Sequence, residues 1–168
     1  ISMMALCKIG AVAIPATHML TASDIVYRNQ RASVKAIICV NDEYVTTQVR
    51  EAMSESPTVE VLVAVNALAQ KDCPVAEGFH DWFAEWEKAP AFVRPEEVNV
   101  NEDTMLMYFT SGTSGEPKMV AHDHLYALGH LVTGVFWHNL DEDSIHLTVA
   151  DTGWGKAVWG KLYGQWFS

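Results

Sequence analysis

The segment of this chain best suited to chemistry is a short loop of small, hydroxylated and charged residues. It reads Thr110-Ser111-Gly112-Thr113-Ser114-Gly115-Glu116-Pro117-Lys118. Its hydroxyl groups, its approachable backbone N–H groups and its one ammonium group are the partners that phosphate oxygens bind. Gly112 and Gly115 can adopt positive φ, and Pro117 stiffens the exit and directs Lys118 back toward the loop. The pattern predicts a phosphate-binding loop, with a flexible surface turn as the alternative.

Three catalytic motifs built from the same residue types do not fit this spacing. A P-loop needs G-x-x-x-x-G-K followed by Ser or Thr, whereas Lys118 is followed by Met119. A hydrolase elbow, G-x-S-x-G, would need glycine where Glu116 stands, and an S-x-x-K motif starting at Ser114 would need lysine where Pro117 stands. Ser114 is therefore a poor candidate for a nucleophile.

Apolar runs on both sides of the loop predict the elements that hold it in place. Helix-like and strand-like patterns alternate along the chain, and two helix–strand units in a row predict an α/β fold with a mixed, largely parallel sheet and flanking helices. Strands are predicted at 11–14, 34–40, 59–65, 104–109, 118–121 and 145–149. Helices are predicted at 2–9, from Thr21 or Ser23 through Tyr27, from Asn41 or Asp42 to about Ser54, at 79–88 and at 125–137.

The organisation is that of part of one domain in three stretches. Residues 1–65 carry the helix–strand units, 66–103 form a looser connecting region, and 104–168 carry the loop and the segment after it. Within the connecting region an aromatic stripe at helical spacing is assigned to packing. Its members are Phe79, Trp82, Phe83 and Trp86.

Composition excludes several classes of protein. The chain has 168 residues, is 49% hydrophobic and carries a net charge of −10, which indicates a globular protein and argues against a nucleic-acid surface. We expect no membrane span, since no strongly apolar run of the required length is free of charge. Cys7, Cys39 and Cys73 are odd in number and widely spaced, which favours free thiols and a cytoplasmic location.

Histidines raise the question of a metal site. The closest pair is His122 and His124, and no H-E-x-x-H motif or nearby cysteine accompanies it. A core histidine and a histidine near a helix cap explain the pair better than zinc does.

The loop, followed by a strand and His122, resembles the phosphate-loop signature of the AMP-forming adenylate superfamily. That superfamily includes acyl- and aryl-CoA synthetases, luciferases and peptide-synthetase adenylation domains. Ala150-Asp151-Thr152-Gly153-Trp154-Gly155-Lys156 resembles the A-D-x-G-W segment of its acetyl- and medium-chain acyl-CoA synthetase branch, and residues 4–27 are also similar to that branch. The resemblance covers nearly the whole chain.

The same resemblance covers only part of such an enzyme. The family's N-terminal domain continues with adenine and ribose contacts and an acidic magnesium ligand, and a small C-terminal domain supplies a catalytic lysine. None of those motifs occurs in this sequence. We therefore expect a fragment of the N-terminal domain, cut at both ends and inactive alone.

The resemblance implies an acid–thiol ligase that uses ATP, Mg²⁺ and CoA on a short- or medium-chain carboxylic acid. Residues 110–118 would bind the triphosphate, with Lys118 as the catalytic charge and Thr113 near the metal. Glu116 is the variable position of the loop and receives no role of its own, while His122 is expected near the nucleotide. Trp154 and Gly155 would lie beside the acyl pocket, with core packing as the alternative for Trp154.

For the other tryptophans, Trp159 and Trp166, core packing is the preferred interpretation, and Lys156 is expected at the surface. Two other functions stay open. One is an adenylation domain whose acceptor is a carrier-protein thiol, which the A-D-x-G-W segment disfavours. The other is a remnant that binds phosphate without turnover. The sequence leaves the identity of the acid and the oligomeric state undetermined.

Overall fold

A computed structural model of the chain describes residues 1–111 and 115–166. The chain divides into two compact units. The inserted unit is His18–Phe92, and the loop unit combines Ile1–Thr17 with the described residues from Val93 onward. The predicted division of one domain at residues 65 and 103 stays a prediction.

The helices are short, and the strands fall into two sheets. The helices are α1 Ser2–Ile9, α2 Ala22–Ala32, α3 Glu43–Ala52, α4 Trp82–Lys88, α5 Tyr126–Gly129, α6 Gly155–Ala157 and α7 Gly164–Trp166. The strands are β1 Ala36–Val40, β2 Val61–Val65, β3 His80–Asp81, β4 Thr104–Thr110 and β5 Lys118–Asp123. Short 3₁₀ turns lie at Met53–Glu55 and Leu68–Gln70, and π-helical turns at Thr133–Trp137 and Val158–Tyr163.

The inserted unit has the predicted helix–strand pattern. Its strands form a parallel sheet in the order β1-β2-β3, with Ala36 opposite Val61. Thr21 begins α2 with a capping box, because its side chain accepts from the Asp24 N–H and the Asp24 carboxylate accepts from the Thr21 N–H. Asp42 caps α3 by accepting from the Val45 N–H. These local signals confirm the predicted elements.

The carboxyl ends of β1 and β2 are covered by the chain itself. Asn41 donates to the Asn66 side-chain oxygen at 2.7 Å, and Asn66 donates to the Cys73 carbonyl at 2.6 Å. The Ala76 N–H returns a bond to Asn41 at 3.0 Å. Ligands of open parallel sheets usually bind at these strand ends. Here the two asparagines hold the segment after β2 over these strand ends, so the chain itself occupies the position where a ligand would bind.

The loop unit is built on an antiparallel hairpin. β4 pairs with β5 from Thr104 opposite Asp123 to Thr110 opposite Lys118. Ala13 forms an isolated parallel bridge with β4. Its N–H donates to the Met105 carbonyl at 3.0 Å, and its carbonyl accepts from the Met107 N–H at 2.9 Å. The core around this hairpin consists of Ala13, Met105, Leu106, Tyr108, Val158 and Tyr163. The predicted strands on both sides of the loop are therefore confirmed.

Three elements predicted in the loop unit differ from the structure in extent, continuity or presence. Only Ala13 of the 11–14 strand makes a strand-like bridge. The helix predicted at 125–137 is interrupted after Gly129, and Gly134 in its second half packs against Gly164, where an added Cβ would lie 2.4 Å from the Gly164 oxygen. Glycine favours such close crossings and weakens helices.

The run 145–149 forms no strand within the described chain. Ile145, Leu147 and Val149 are exposed, and β-branched side chains stabilise a strand only where a neighbouring strand supplies hydrogen bonds and packing. In the inserted unit, the helix predicted at 79–88 begins later, at Trp82, because the Asp81 carboxylate caps it there. No helix in the described ranges is both long and apolar enough to cross a bilayer.

Candidate functional site

The hairpin brings the two ends of the candidate loop together. Thr110 and Lys118 face each other in register at the end of β4 and the start of β5. The Thr110 hydroxyl donates to the Lys118 carbonyl at 3.4 Å. Gly112, Thr113 and Ser114 lie outside the described residues, so the roles expected for them stay predictions. One pair of strands therefore holds the first and last residues of the loop opposite each other.

The described part of the loop is open to solvent. Gly115 has a φ of +103°, and a Cβ added there would have no neighbour within 4 Å. The residue is glycine for its backbone conformation, which other residues adopt with strain. Ser111, Glu116 and Lys118 are exposed, and Pro117 is half-buried. Hydroxyl, backbone and ammonium groups are thus accessible to an anion, as the loop hypothesis requires.

A second structure, the turn over Asp151–Trp154, is held by one carboxylate. Asp151 accepts from the Thr17 hydroxyl at 2.8 Å and from the Gly153 N–H at 2.7 Å. Its carbonyl accepts from the Trp154 N–H at 3.0 Å. A Cβ on Gly153 would lie 2.2 Å from the Thr17 nitrogen, so only glycine fits against that backbone. We call this structure the Asp151 turn.

The Asp151 turn and the loop meet at strand β4. A Cβ on Gly155, directly after the turn, would lie 3.6 Å from the Tyr108 ring, which is an ordinary contact distance. Tyr108 is buried and stands two residues before Thr110, where the loop begins. The two segments singled out in the sequence are therefore neighbours in space. Sequence reasoning missed Thr17, because its partner lies 134 residues away.

Trp154 and the other two tryptophans differ in their surroundings. Trp154 is 64% exposed, so it is not a core residue of the described chain. Trp159 stacks between the rings of His130 and His138, at centroid distances of 5.4 and 5.6 Å, which agrees with a packing role. Trp166 is 62% exposed, and its predicted core position is wrong. Lys156 is exposed, as predicted.

A row of aromatic and imidazole rings packs in sequence from Tyr108 to His130. His122 packs against Tyr108 at 5.8 Å and against Tyr126 at 4.7 Å, and Tyr126 packs against His130 at 4.5 Å. Burial, reinforced by Tyr126, raises the pKa of Tyr108, so its hydroxyl stays neutral at physiological pH. Burial and the nearby His122 lower the pKa of His130, which favours its neutral form.

The described residues offer no ready metal site. Across 1–111 and 115–166, no group of three or more His, Cys, Asp or Glu side chains is arranged to hold a metal ion. Mg²⁺ prefers an octahedral set of oxygen ligands that includes carboxylates. The Glu116 carboxylate beside the loop is exposed, and Thr113 lies outside the described residues. The described residues therefore do not form a magnesium site.

An α/β fold that carries a loop of small, hydroxylated residues ending in lysine between two paired strands is the arrangement that the phosphate-binding hypothesis requires. Comparison with known proteins makes this hypothesis specific. The model of the AMP-binding enzyme family matches residues 1–164, and the chain belongs to that family.

Curated relatives agree with this assignment. The chain is 33% identical over 164 residues to the mitochondrial acyl-coenzyme A synthetase ACSM5 of Mus musculus, covering 97% of the chain and 27% of the relative. It is 29% identical over 167 residues to the mitochondrial acyl-coenzyme A synthetase ACSM3 of the same organism, with the same two coverages. The chain thus spans about a quarter of the length of the relatives it matches.

Solved structures support the same fold. An acyl-CoA synthetase of Brucella canis superposes with a TM-score of 0.73 at 20% identity, over 97% of this chain and 28% of that one. The anthranilate CoA ligase AuaEII, solved with anthranoyl-AMP, superposes with a TM-score of 0.68 at 20% identity, over 80% of this chain and 24% of that one. The chain therefore has the fold of part of an acyl-CoA synthetase domain.

Proposed function

We propose that the full-length protein containing this chain is an AMP-forming acyl-CoA ligase acting on a short- or medium-chain carboxylic acid. The observation that carries the proposal is the proximity of the loop and the Asp151 turn through β4. Gly155 directly follows the turn, and a Cβ added there would lie 3.6 Å from the ring of Tyr108, two residues before the loop. A loop that binds phosphate, next to the Asp151 turn that would border the acid, suits a reaction that joins a carboxylate to a nucleotide. Family membership and the names of the relatives support the same reaction.

The proposed reaction has two steps, adenylate formation and thioester formation. In the first, a carboxylate oxygen forms a bond to the α-phosphorus of ATP, and the bond to the β-phosphate oxygen breaks to release pyrophosphate. In the second, the sulfur of CoA attacks the acyl carbon, its proton is lost, and AMP leaves. Because both reactants of the first step are anions, catalysis depends on positioning and on neutralising charge. No protein nucleophile is required, in agreement with the poor fit of Ser114 to such motifs.

Different loop residues would bind the phosphate oxygens and neutralise their charge. The exposed Ser111 hydroxyl and the open backbone at Gly115 are suited to donate hydrogen bonds to phosphate oxygens. Lys118, exposed at the start of β5, would offset the charge of the departing pyrophosphate. Gly112, Thr113 and Ser114 would complete the phosphate contacts. Mg²⁺ would accompany the triphosphate.

The test of the loop is Lys118→Ala in the full-length protein. We expect acid-dependent exchange of pyrophosphate into ATP to slow by about a hundredfold, the typical effect of removing one transition-state partner. Lys161→Ala is the matched control, since Lys161 is also an exposed lysine of the loop unit. An unchanged exchange rate in the Lys118 variant would remove this residue from the mechanism.

Trp154 is proposed to limit the depth of the acyl pocket. Its indole is exposed, and its two neighbours in sequence are the glycines Gly153 and Gly155. The indole is therefore available to line a cavity. Trp154→Ala should shift the preference of the enzyme toward longer acids. Trp166→Ala is the control, because Trp166 is equally exposed but lies on α7. The same chain-length profile in wild type and the Trp154 variant would contradict the pocket role.

CoA is proposed as the acyl acceptor in place of a carrier-protein thiol. The relatives are named as coenzyme A synthetases, and the A-D-x-G-W segment is similar to their branch. Thioester formation with free CoA, measured beside a carrier protein bearing a phosphopantetheine thiol, separates the two acceptors. Faster transfer to the carrier protein would overturn the choice of CoA.

The cellular location is also a proposal. The described free cysteines suit the cytoplasm, whereas the relatives carry the word mitochondrial in their names. We propose a cytoplasmic protein, and fractionation of cells with an antibody to this chain tests it. Recovery in the mitochondrial fraction would contradict it.

A further inference from the structure

The Thr17 side chain joins two distant parts of the loop unit. Its hydroxyl donates to the Asp151 carboxylate at 2.8 Å across 134 residues of sequence. The other oxygen of that carboxylate accepts from the Gly153 N–H at 2.7 Å. One carboxylate thus ties Thr17 to the turn that carries Trp154. Both of these bonds involve an ionisable acceptor, the stronger kind of hydrogen bond.

The backbone on the Thr17 side reinforces this tie. A Cβ added to Gly153 would lie 2.2 Å from the Thr17 nitrogen and 2.5 Å from the Ala16 carbonyl carbon, and glycine has only a hydrogen atom at that place. The turn therefore lies directly against the peptide between Ala16 and Thr17. Because packed backbone cannot give way, the position of this peptide sets the position of the turn.

The Thr17 segment is in turn fixed to strand β4. Ala13, four residues earlier, bonds to the Met105 carbonyl and the Met107 N–H. Pro15 limits the backbone freedom between Ala13 and Thr17. A continuous path of hydrogen bonds and packed backbone therefore runs from the strand that bears the phosphate loop to the turn that bears Trp154.

We propose that Thr17 is a positioning residue that fixes Trp154 and thereby sets the length of acid the enzyme accepts. This inference rests on the proposed function. Thr17 acts through the Asp151 turn and does not itself touch the acid. Without its hydroxyl, the bond that ties the Asp151 carboxylate to Thr17 is lost, the turn relaxes away from the Ala16–Thr17 peptide, and the indole no longer closes the pocket at one depth.

The test uses the full-length protein, wild type and Thr17→Val, with a homologous series of straight-chain acids. Valine keeps the shape of threonine and removes its donor. We expect the KM for the preferred acid to rise roughly tenfold while the KM for ATP stays within about twofold, and the chain-length optimum to broaden. Thr17→Ser keeps the hydroxyl and should restore the wild-type profile. Thr133→Val, another partly buried threonine of the loop unit, is the control.

A double-variant experiment separates positioning from general destabilisation. If Thr17 acts through Trp154, Thr17→Val should change the acid profile no further when Trp154 is already alanine. Equal effects in both backgrounds would overturn the inference. Asp151→Ala removes the same bond from its other side, together with the bond to the Gly153 N–H, and it should reproduce the shift even if Thr17→Val does not fold.

The failure of the inference differs from the failure of the proposed function. Wild type with acid-dependent exchange, and a Thr17→Val variant with an unchanged profile, would reject the positioning role alone. Wild type without exchange for any acid of the series would reject the ligase function and this inference with it.

Discussion

Substituting Gly153 by alanine tests the geometry of the Asp151 turn most severely. The added Cβ would lie 2.2 Å from the Thr17 nitrogen and 2.5 Å from the Ala16 carbonyl carbon, whereas ordinary contacts begin at 3.4 Å. The backbone of either the turn or the Ala16–Thr17 peptide must therefore move by about 1.2 Å, which is the difference between the ordinary 3.4 Å contact and the 2.2 Å distance to the Thr17 nitrogen. Overpacking of this kind costs about 1–3 kcal/mol of folding free energy.

A displacement of that size also has a catalytic consequence. A misplacement of about 1 Å in a substrate-positioning element can lower a rate by about a hundredfold. In the full-length protein we expect Gly153→Ala to lose about 2 kcal/mol in urea unfolding. We expect acid-dependent pyrophosphate exchange to fall by about a hundredfold at a temperature where the variant remains folded.

The matched control for this substitution is Gly129→Ala. A Cβ on Gly129 meets nothing within 4 Å, and Gly129 lies at the end of helix α5, where alanine is favoured over glycine. This variant should be as stable as wild type or more so, with an unchanged exchange rate. Wild-type stability and activity in Gly153→Ala would refute the packing of the turn against the Thr17 backbone.

Three further predictions concern stability. Leu106→Ala should lose about 2–5 kcal/mol in urea unfolding, since Leu106 is fully buried beside Ala13, and a smaller loss than that of an exposed leucine would contradict this core. The Thr21 hydroxyl holds the pKa of Asp24 below its ordinary 3.8, so the folded protein binds this proton less readily than the unfolded chain. The advantage of wild type over Asp24→Asn should therefore be full above about pH 4 and vanish at lower pH, and an advantage that persists in acid would refute the cap. Burial, followed by His122, lowers the pKa of His130 from 6.5, so wild type should lose stability as the pH falls through that value, and His130→Gln should flatten this dependence in thermal unfolding scans.

Local patterns were sufficient to predict much of the fold. The strands around the loop, the parallel pair β1 and β2, and helix starts at Thr21 or Ser23 and at Asn41 or Asp42 depend on short-range sequence. The structure confirms them, with Thr21 and Asp42 as the capping residues. Hydrophobic periodicity and cap chemistry act within a few residues, which is why a single sequence reveals them.

Elements that depend on distant partners were predicted less well. The run 145–149 has the composition of a strand but finds no neighbouring strand within the described chain. The helix expected over 125–137 is interrupted after Gly129, and Gly134 in its second half lies against Gly164, thirty residues away. Propensity describes the isolated segment, and tertiary contacts decided these two cases.

The candidate site follows the same division. The loop and the A-D-x-G-W segment were visible as motifs, but the bond from Thr17 to Asp151 joins residues 134 positions apart and has no local signal. The proximity of Gly155 to the Tyr108 ring is equally non-local. Spacing identified the two segments, and only the fold revealed that they share strand β4 as a support.

The most direct test of the central claim follows a heavy oxygen label from the carboxylic acid. In adenylate chemistry a carboxylate oxygen bonds to the α-phosphorus, and it remains with AMP when CoA displaces the acyl group. Full-length protein given labelled acid, ATP and CoA should therefore produce labelled AMP and unlabelled pyrophosphate. Label in inorganic phosphate, with ADP as the nucleotide product, would contradict an AMP-forming ligase.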